Sequence, residues 1–179
     1  MAVATNTKRW TLEELHSLPD DGNKYELVRG QLFVTPPPTE AHETIAARLA
    51  RIIDPYAERH GLGFVFRPRA VMRFEGSEVE PDLMVRAPKA PHAKDWDGAP
   101  TPILVVEILS GGTRRRDFDQ KRQLYLDAGV AEYWIVDPDD RTIRSIARDR
   151  ADMVVRDDIV WSPAGATQPL SVALSTVFG

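Results

Sequence analysis

The alternation of apolar and polar positions divides the chain into short elements. "TLEELHSL" opens with Thr11 three residues before Glu14, a capping box that predicts a short helix. "YELVRGQLFV" is two β-prone runs around Arg29-Gly30 and predicts a hairpin. After "PPP" a helix is expected, with Thr39 as its N-cap and Gly61 as its stop; Pro55 is expected to kink or break it near the end. "GFVFRP" and "AVMRFEG" predict a pair of strands, followed by "EVEPDLMVRAP". Pro88 to Pro100 is rich in proline, glycine and charge and predicts a loop. "PILVVEIL" is the strongest strand, apolar at nearly every position, as in strands covered on both faces. "RRRDFDQKRQLYLDAGV" predicts a helix ending at Gly129, and "EYWIVDP" a strand that stops at Asp137-Pro138. "RTIRSIAR", "DMVVRDDIVW" and "LSVALSTVF" complete the chain as short strands or turns. Helices and strands mixed around a central apolar strand predict an α/β fold, read as one domain over residues 1–179.

Composition narrows the function classes. Apolar content of 42% and charged content of 28% are those of a soluble globular protein. There are no cysteines, which excludes disulfides and thiolate metal sites and fits a cytoplasmic protein. "MAVATNTKRW" has no apolar signal-peptide core, and no apolar run approaches the ~20 residues of a membrane span, so no membrane association is expected. The net charge of −4 lacks the global basic footprint of many nucleic-acid binders. Contact with phosphates would need a local basic patch or a metal ion.

One residue conflicts with the pattern. Glu107 stands inside the most apolar strand, on the face it shares with Val105 and Leu109. A buried carboxylate must be protonated, hydrogen-bonded, paired or metal-bound. Pairing with an arginine or a backbone donor would account for it. Two further features bear on the choice. Asp82 follows Pro81 at the start of another apolar strand, where it is either turn chemistry or a second carboxylate near the first. On the next helix, Phe118, Lys121, Leu124, Tyr125 and Ala128 fall on one arc, so an ammonium group is carried toward the sheet. Lys121 either runs along the core to water, neutralises Asp117 one turn back, or meets the carboxylates. Two carboxylates suit a hard divalent cation, and a nearby lysine suits a water or a developing oxyanion.

Pro81-Asp82, followed by Glu107 in an apolar strand, resembles the PD-(D/E)XK nuclease superfamily. The pieces "YELVRGQL", "HETIAARL", "EPDLMV", "VVEILSGGTRRRDFDQKRQLYLDAGVAEYWIVDP" and "LSVALSTVF" are similar, in order from Tyr25 onward, to a bacterial family of predicted restriction endonucleases. The resemblance implies a restriction-endonuclease-like fold: a central mixed β-sheet flanked by helices, with an additional N-terminal hairpin and C-terminal strands. It implies Asp82 and Glu107 as ligands of Mg²⁺ or Mn²⁺, with the Ile108 carbonyl as a third. The superfamily lysine two residues after the glutamate is here Leu109, and the resemblance implies that Lys121 supplies it from the following helix. A homodimer is an assembly the resemblance allows.

Other residues have competing readings. Glu26 is either a further carboxylate of the site or an exposed hairpin residue. His42 shares the apolar arc of Ile45, Ala46, Leu49 and Ile53; a satisfied core-edge histidine is favoured over a general base or substrate contact. Ser110 and Thr113 either cap the next helix, the favoured reading, or touch a phosphate. Arg114, Arg115 and Arg116 oppose the helix dipole, so they are a solvated charge run or a phosphate-binding patch. Trp134 and Tyr125 read as core, and Asp137 as a turn residue. The function expected is a divalent-metal-dependent endonuclease acting on DNA, with Asp82, Glu107 and Lys121 catalytic and Asp117 positioning Lys121. The alternatives are a catalytically inactive nucleic-acid or protein interaction module and a hydrolase of some other phosphoester.

Overall fold

The computed structural model of the chain describes residues 8–89, 94–110 and 120–179. α1 (Leu12–His16) begins at its capping box, with the Glu14 N–H donated to the Thr11 hydroxyl and the Thr11 N–H to the Glu14 carboxylate. β1 (Lys24–Val28) and β2 (Gln31–Thr35) pair antiparallel across Arg29-Gly30. Both turn residues have positive φ, the turn whose twist suits a two-residue hairpin. α2 (Glu40–Arg59) is capped by Thr39, whose hydroxyl accepts from the His42 N–H at 3.3 Å.

Two expectations are corrected here. Pro55 lies inside α2 and does not end it. It is exposed, on the solvent side of the helix, where a carbonyl that loses its intrahelical donor can be hydrated. The other correction concerns strand pairing. β3 (Phe64–Phe66) and β4 (Met72–Phe74) do not pair with each other. β4 pairs with β5 (Ser77–Val79) across Glu75-Gly76, again a turn with two positive φ values, so local turn chemistry takes β4 into a different sheet. β3 instead pairs with β6 (Leu83–Arg86).

The rest of the chain is β7 (Leu104–Ile108), α3 (Arg122–Asp127), β8 (Glu132–Asp137), β9 (Thr142–Ala147), β10 (Arg150–Val155), β11 (Asp158–Trp161), β12 (Leu170–Ala173) and α4 (Leu174–Phe178). Among the described residues the central sheet has six strands in the order β10-β9-β8-β7-β6-β3, antiparallel except for the parallel pair β7 and β8. A second sheet has the order β2-β1-β5-β4, so the N-terminal hairpin is half of a four-stranded layer. Of the C-terminal strands, β9 and β10 extend the central sheet, and β11 and β12 form a two-stranded sheet of their own. No helix among the described residues is long and apolar enough to cross a membrane.

Strand alternation along β7 sets the two cores. Leu104, Val106 and Ile108 pack with Leu49 and Ile53 of α2 and with Trp134 and Trp161. Val105 and Leu109 pack on the other side with Leu124, Tyr125 and Tyr133, and with Val28 and Val79 of the second sheet. Burying each such side chain contributes about 1.5–3 kcal/mol. Glu107 shares the side of Val105 and Leu109, facing α3 and β1. Gly63, just before β3, has φ +113°, and a Cβ there would stand 2.2 Å from the Arg86 carbonyl oxygen. Gly63→Ala is therefore expected to destabilise by roughly 3 kcal/mol, read as a lower urea midpoint.

Candidate active site

The antiparallel register of β6 on β7 pairs Leu83 with Val106. Asp82, one residue before β6, is thereby brought beside Glu107 and Ile108. Its Oδ2 accepts the Ile108 N–H at 2.8 Å, a bond that holds the carboxylate to the end of β7. The same oxygen lies 3.1 Å from Nε2 of His42, in the first turn of α2, and Oδ1 accepts from Lys24 Nζ at 3.2 Å. Lys24 and Glu26 alternate onto one side of β1, and Glu26 completes the group. Lys121, at the π-type turn that leads into α3, donates to Glu107 Oε1 at 3.0 Å and contacts Glu26 Oε2 at 2.8 Å. One turn on, the Tyr125 hydroxyl donates to Glu107 Oε1 at 2.6 Å. Glu26 also accepts the Glu80 N–H at 2.8 Å, which ties β1 to the segment before Asp82.

These groups are nearly out of water: Glu26 is 1% exposed, Lys121 3%, Asp82 5% and Glu107 5%. At that depth unpaired charges are not tolerated, so the ion pairs determine the ionisation states. Burial pushes the Glu107 carboxyl up to about 7, reinforced by the Asp82 and Glu26 charges and only partly opposed by Lys121 and Lys24. Burial also acts to raise Asp82, but the His42 hydrogen bond, the Lys24 charge and the Ile108 N–H outweigh it and hold that carboxyl well below its ordinary range. Glu26 is lowered in the same way, its burial outweighed by Lys121 and Lys24. His42 is raised, because its bond to Asp82 outweighs its partial burial. Divergent ionisation of neighbouring carboxyls is a frequent mark of functional sites.

Asp82 opens onto a cleft of about 610 Å³. His42, Lys24, Ser110 and Glu80 line the same cleft, together with Arg67 and Arg69. Glu107, Glu26 and Lys121 lie behind this lining.

The structure thus brings together Asp82, Glu107, Ile108, Lys121, Glu26 and His42, and sets Ser110 at the cleft beside them. Thr113, Arg114, Arg115, Arg116 and Asp117 lie outside the described residues. Glu26 is not an exposed hairpin residue, and the His42 ring is satisfied by its bond to Asp82. Sequence reasoning missed Lys24, whose spacing of two from Glu26 on a strand was the available signal. It assigned Tyr125 only to the core; its spacing of four from Lys121 on the helix indicated that its hydroxyl would reach the same carboxylate.

Among the described residues no three His, Asp or Glu side chains converge as a ready metal cage. The donor set nevertheless fits a hard divalent ion. Three buried carboxylates, Glu26, Asp82 and Glu107, face two ammonium groups, Lys24 and Lys121, and half-buried Glu80 adds further negative charge beside them. This excess adds to the burial that raises Glu107, and a cation would relieve it. Mg²⁺ typically takes only one or two protein carboxylates and completes its shell with waters and phosphate oxygens.

A solved structure supports the architecture. The fold is similar to the crystal structure of a "putative nuclease belonging to DUF820" from Anabaena variabilis, with a TM-score of 0.79 and 22% identity over 94% of this chain and 97% of that one. At this identity the likeness establishes the fold, the restriction-endonuclease-like arrangement of a central mixed sheet and helices. No curated protein matches the chain. The family model described as "Putative restriction endonuclease" matches residues 12–175, nearly the whole length, and the chain accordingly belongs to the Uma2 family.

Proposed function

We propose that this protein is a divalent-metal-dependent nuclease that hydrolyses phosphodiester bonds in DNA. The observation that carries this reading is the buried Lys121, drawn from a later helix into contact with Glu107 and Glu26 beside the strand end that holds Asp82. The family description and the fold support the same reaction class.

Asp82, Glu107 and the Ile108 carbonyl would hold Mg²⁺ or Mn²⁺. Such an ion, when bound, lowers the pKa of a coordinated water and neutralises phosphate oxygens. The chain's own groups do the rest. Lys121 and Tyr125 fix the Glu107 carboxylate from one side, and Lys121 keeps positive charge where the phosphorane-like transition state gathers negative charge. His42, Lys24 and the Ile108 N–H fix Asp82 from the other side, so its orientation is set before substrate arrives. Glu26 anchors Lys121. Water attacks phosphorus and gives up a proton to solvent, the P–O bond to the leaving sugar oxygen breaks, and that oxygen takes up a proton from solvent.

Two observations favour a non-catalytic interaction module instead: each buried carboxylate already has a protein cation, and Leu109 stands where the superfamily has lysine. A cleavage assay separates the two readings. Plasmid, single-stranded DNA and RNA would be incubated with the protein in Mg²⁺, Mn²⁺ or chelator. The nuclease reading predicts DNA cleavage that chelator stops and that falls at least a hundredfold in Asp82→Ala, the scale of losing one electrostatic catalytic group. Cleavage unchanged by chelator or by Asp82→Ala would refute it.

A further inference from the structure

A second buried charge lies outside the candidate active site. Arg86 ends β6 and is 3% exposed. It shares the side of Met84 on that strand, and the β3 register sets Phe66 opposite Met84, so Phe66 stands diagonal to Arg86 on the same face. The guanidinium carbon lies 4.1 Å from the centre of the Phe66 ring and 5.3 Å from that of Trp96. Ring faces attract a cation but offer no lone pairs to its N–H groups. Of the guanidinium nitrogens, Nη1 alone has an acceptor among the described residues, the Ala87 carbonyl oxygen at 2.8 Å. The Nε and Nη2 donors are left over. Arg86 makes no ion pair among the described residues, and burial alone draws its pKa below the ordinary value.

A cavity of about 30 Å³ adjoins this group, with Arg86, Arg73, Met84, Trp96 and Thr101 in its wall. A single water needs roughly 10–15 Å³, so the cavity has room for more than one water. No acidic side chain is among the described residues that line it. Arg73 commits its own charge to Glu78 and Asp97. Between Lys89 and Lys94 the sequence is Ala90, Pro91, His92 and Ala93, which brings no carboxylate to this end of β6 either. Pro100 and Thr101 in the cavity wall are exposed, so the cavity lies close to solvent. A buried guanidinium with unmet donors is costly unless something accepts from it and balances its charge.

We infer that the cavity beside Arg86 is a binding site for one small monovalent anion, a halide or a formate-sized carboxylate, held by the Arg86 guanidinium. Water in the cavity would meet the donors and leave the charge, whereas an anion answers both and forms the stronger, charge-assisted bonds. One uncommitted guanidinium matches one negative charge. The anion would tie β6 and β3 to the segment that carries Trp96 and Thr101, so its effect is on folding. The inference is independent of the nuclease reading.

The test uses the full chain and simple sodium salts. Urea denaturation would be followed at constant ionic strength while gluconate, too bulky for the cavity, is exchanged for chloride, bromide or formate. Wild type is compared with Arg86→Met, which keeps the length of the side chain and removes the charge, and with Arg86→Lys. The wild-type folding constant should rise as 1 + [anion]/Kd, about elevenfold at ten times the Kd. Arg86→Met should show none of this rise, and Arg86→Lys a weaker one, because lysine keeps the charge and loses the planar fork. A rise in chloride and bromide marks a halide site, and a rise in formate a carboxylate site; either bears the inference out. Crystals of wild type grown in sodium bromide supply a readout that needs no variant, so a failure of Arg86→Met to fold leaves the test intact. An anomalous peak in the cavity, in contact with an Arg86 nitrogen, is the expected result. The inference is overturned if wild type and Arg86→Met respond alike to every anion, the outcome when water alone fills the cavity. It is overturned equally if bromide is absent from the cavity and formate leaves the wild-type folding constant unchanged.

Discussion

Lys121→Met is expected to destabilise the protein by about 3–5 kcal/mol, the penalty for leaving buried charge without its partner, and to abolish the proposed cleavage. Two effects combine at this residue. Nζ lies within 3.0 Å of both Glu26 and Glu107, and all three side chains are buried, so methionine would leave two carboxylates facing each other without their shared cation. Both would be driven toward protonation. The folding part of the loss is separable from the chemical part. Adding Glu26→Gln to Lys121→Met removes one of the stranded charges and should restore much of the stability, measured by urea denaturation. Cleavage should stay absent, because the ammonium group itself is missing. If the double variant cut DNA like wild type, Lys121 would have only a structural role.

Glu107→Gln should have opposite effects on stability and function. The glutamine keeps an acceptor for Tyr125 and Lys121 while removing a charge that the site holds poorly. The folded carboxyl titrates near 7, raised from the ordinary 4.5 by burial and by its acidic neighbours. A raised pKa means that the neutral form favours folding. Its contribution is fully present below about 4.5 and is lost as pH rises through about 7. His42, also raised, adds loss of the same sign as pH climbs above its ordinary value of 6.5. Asp82 and Glu26 are lowered, so their contributions are instead lost on acidification. Metal-free wild type should therefore lose stability between pH 5 and pH 8, on the order of 2 kcal/mol of it from Glu107. Glu107→Gln should lose that much less over the same interval and be the more stable protein at pH 8, while its cleavage is abolished. A variant with the wild-type pH slope would show that Glu107 is not the group titrating there. A stability gain tied to loss of function is expected where a site is built for a ligand rather than for folding.

Much of this arrangement was legible in the sequence, for physical reasons. A glutamate inside "PILVVEIL" cannot be solvated, and helix periodicity directed Lys121 at the sheet; each observation constrained the other. What could not be read was long-range pairing. β3 and β4 are adjacent in sequence and similar in pattern, yet the Glu75-Gly76 turn takes β4 to β5 and leaves β3 to β6. The partners of Glu26 and Lys24 followed from the same kind of pairing, since β1 reaches the site only by joining β5. His42 looked like a core-edge residue because its helical arc is apolar; the placement of the α2 N-terminus against Asp82, together with the adjacent Glu43, gives it polar partners. Pro55 was misjudged because a one-dimensional pattern does not show that a helix interior position faces water.

The central claim is that Asp82 and Glu107 together form a divalent-cation site, and calorimetric titration of Mn²⁺ tests it most directly. The account predicts one binding event in wild type at neutral pH, at least tenfold weaker in both Asp82→Asn and Glu107→Gln, with all three proteins folded by circular dichroism. No binding by wild type, or equal binding by the two variants, would contradict it and leave the buried cluster as a structural ion-pair network.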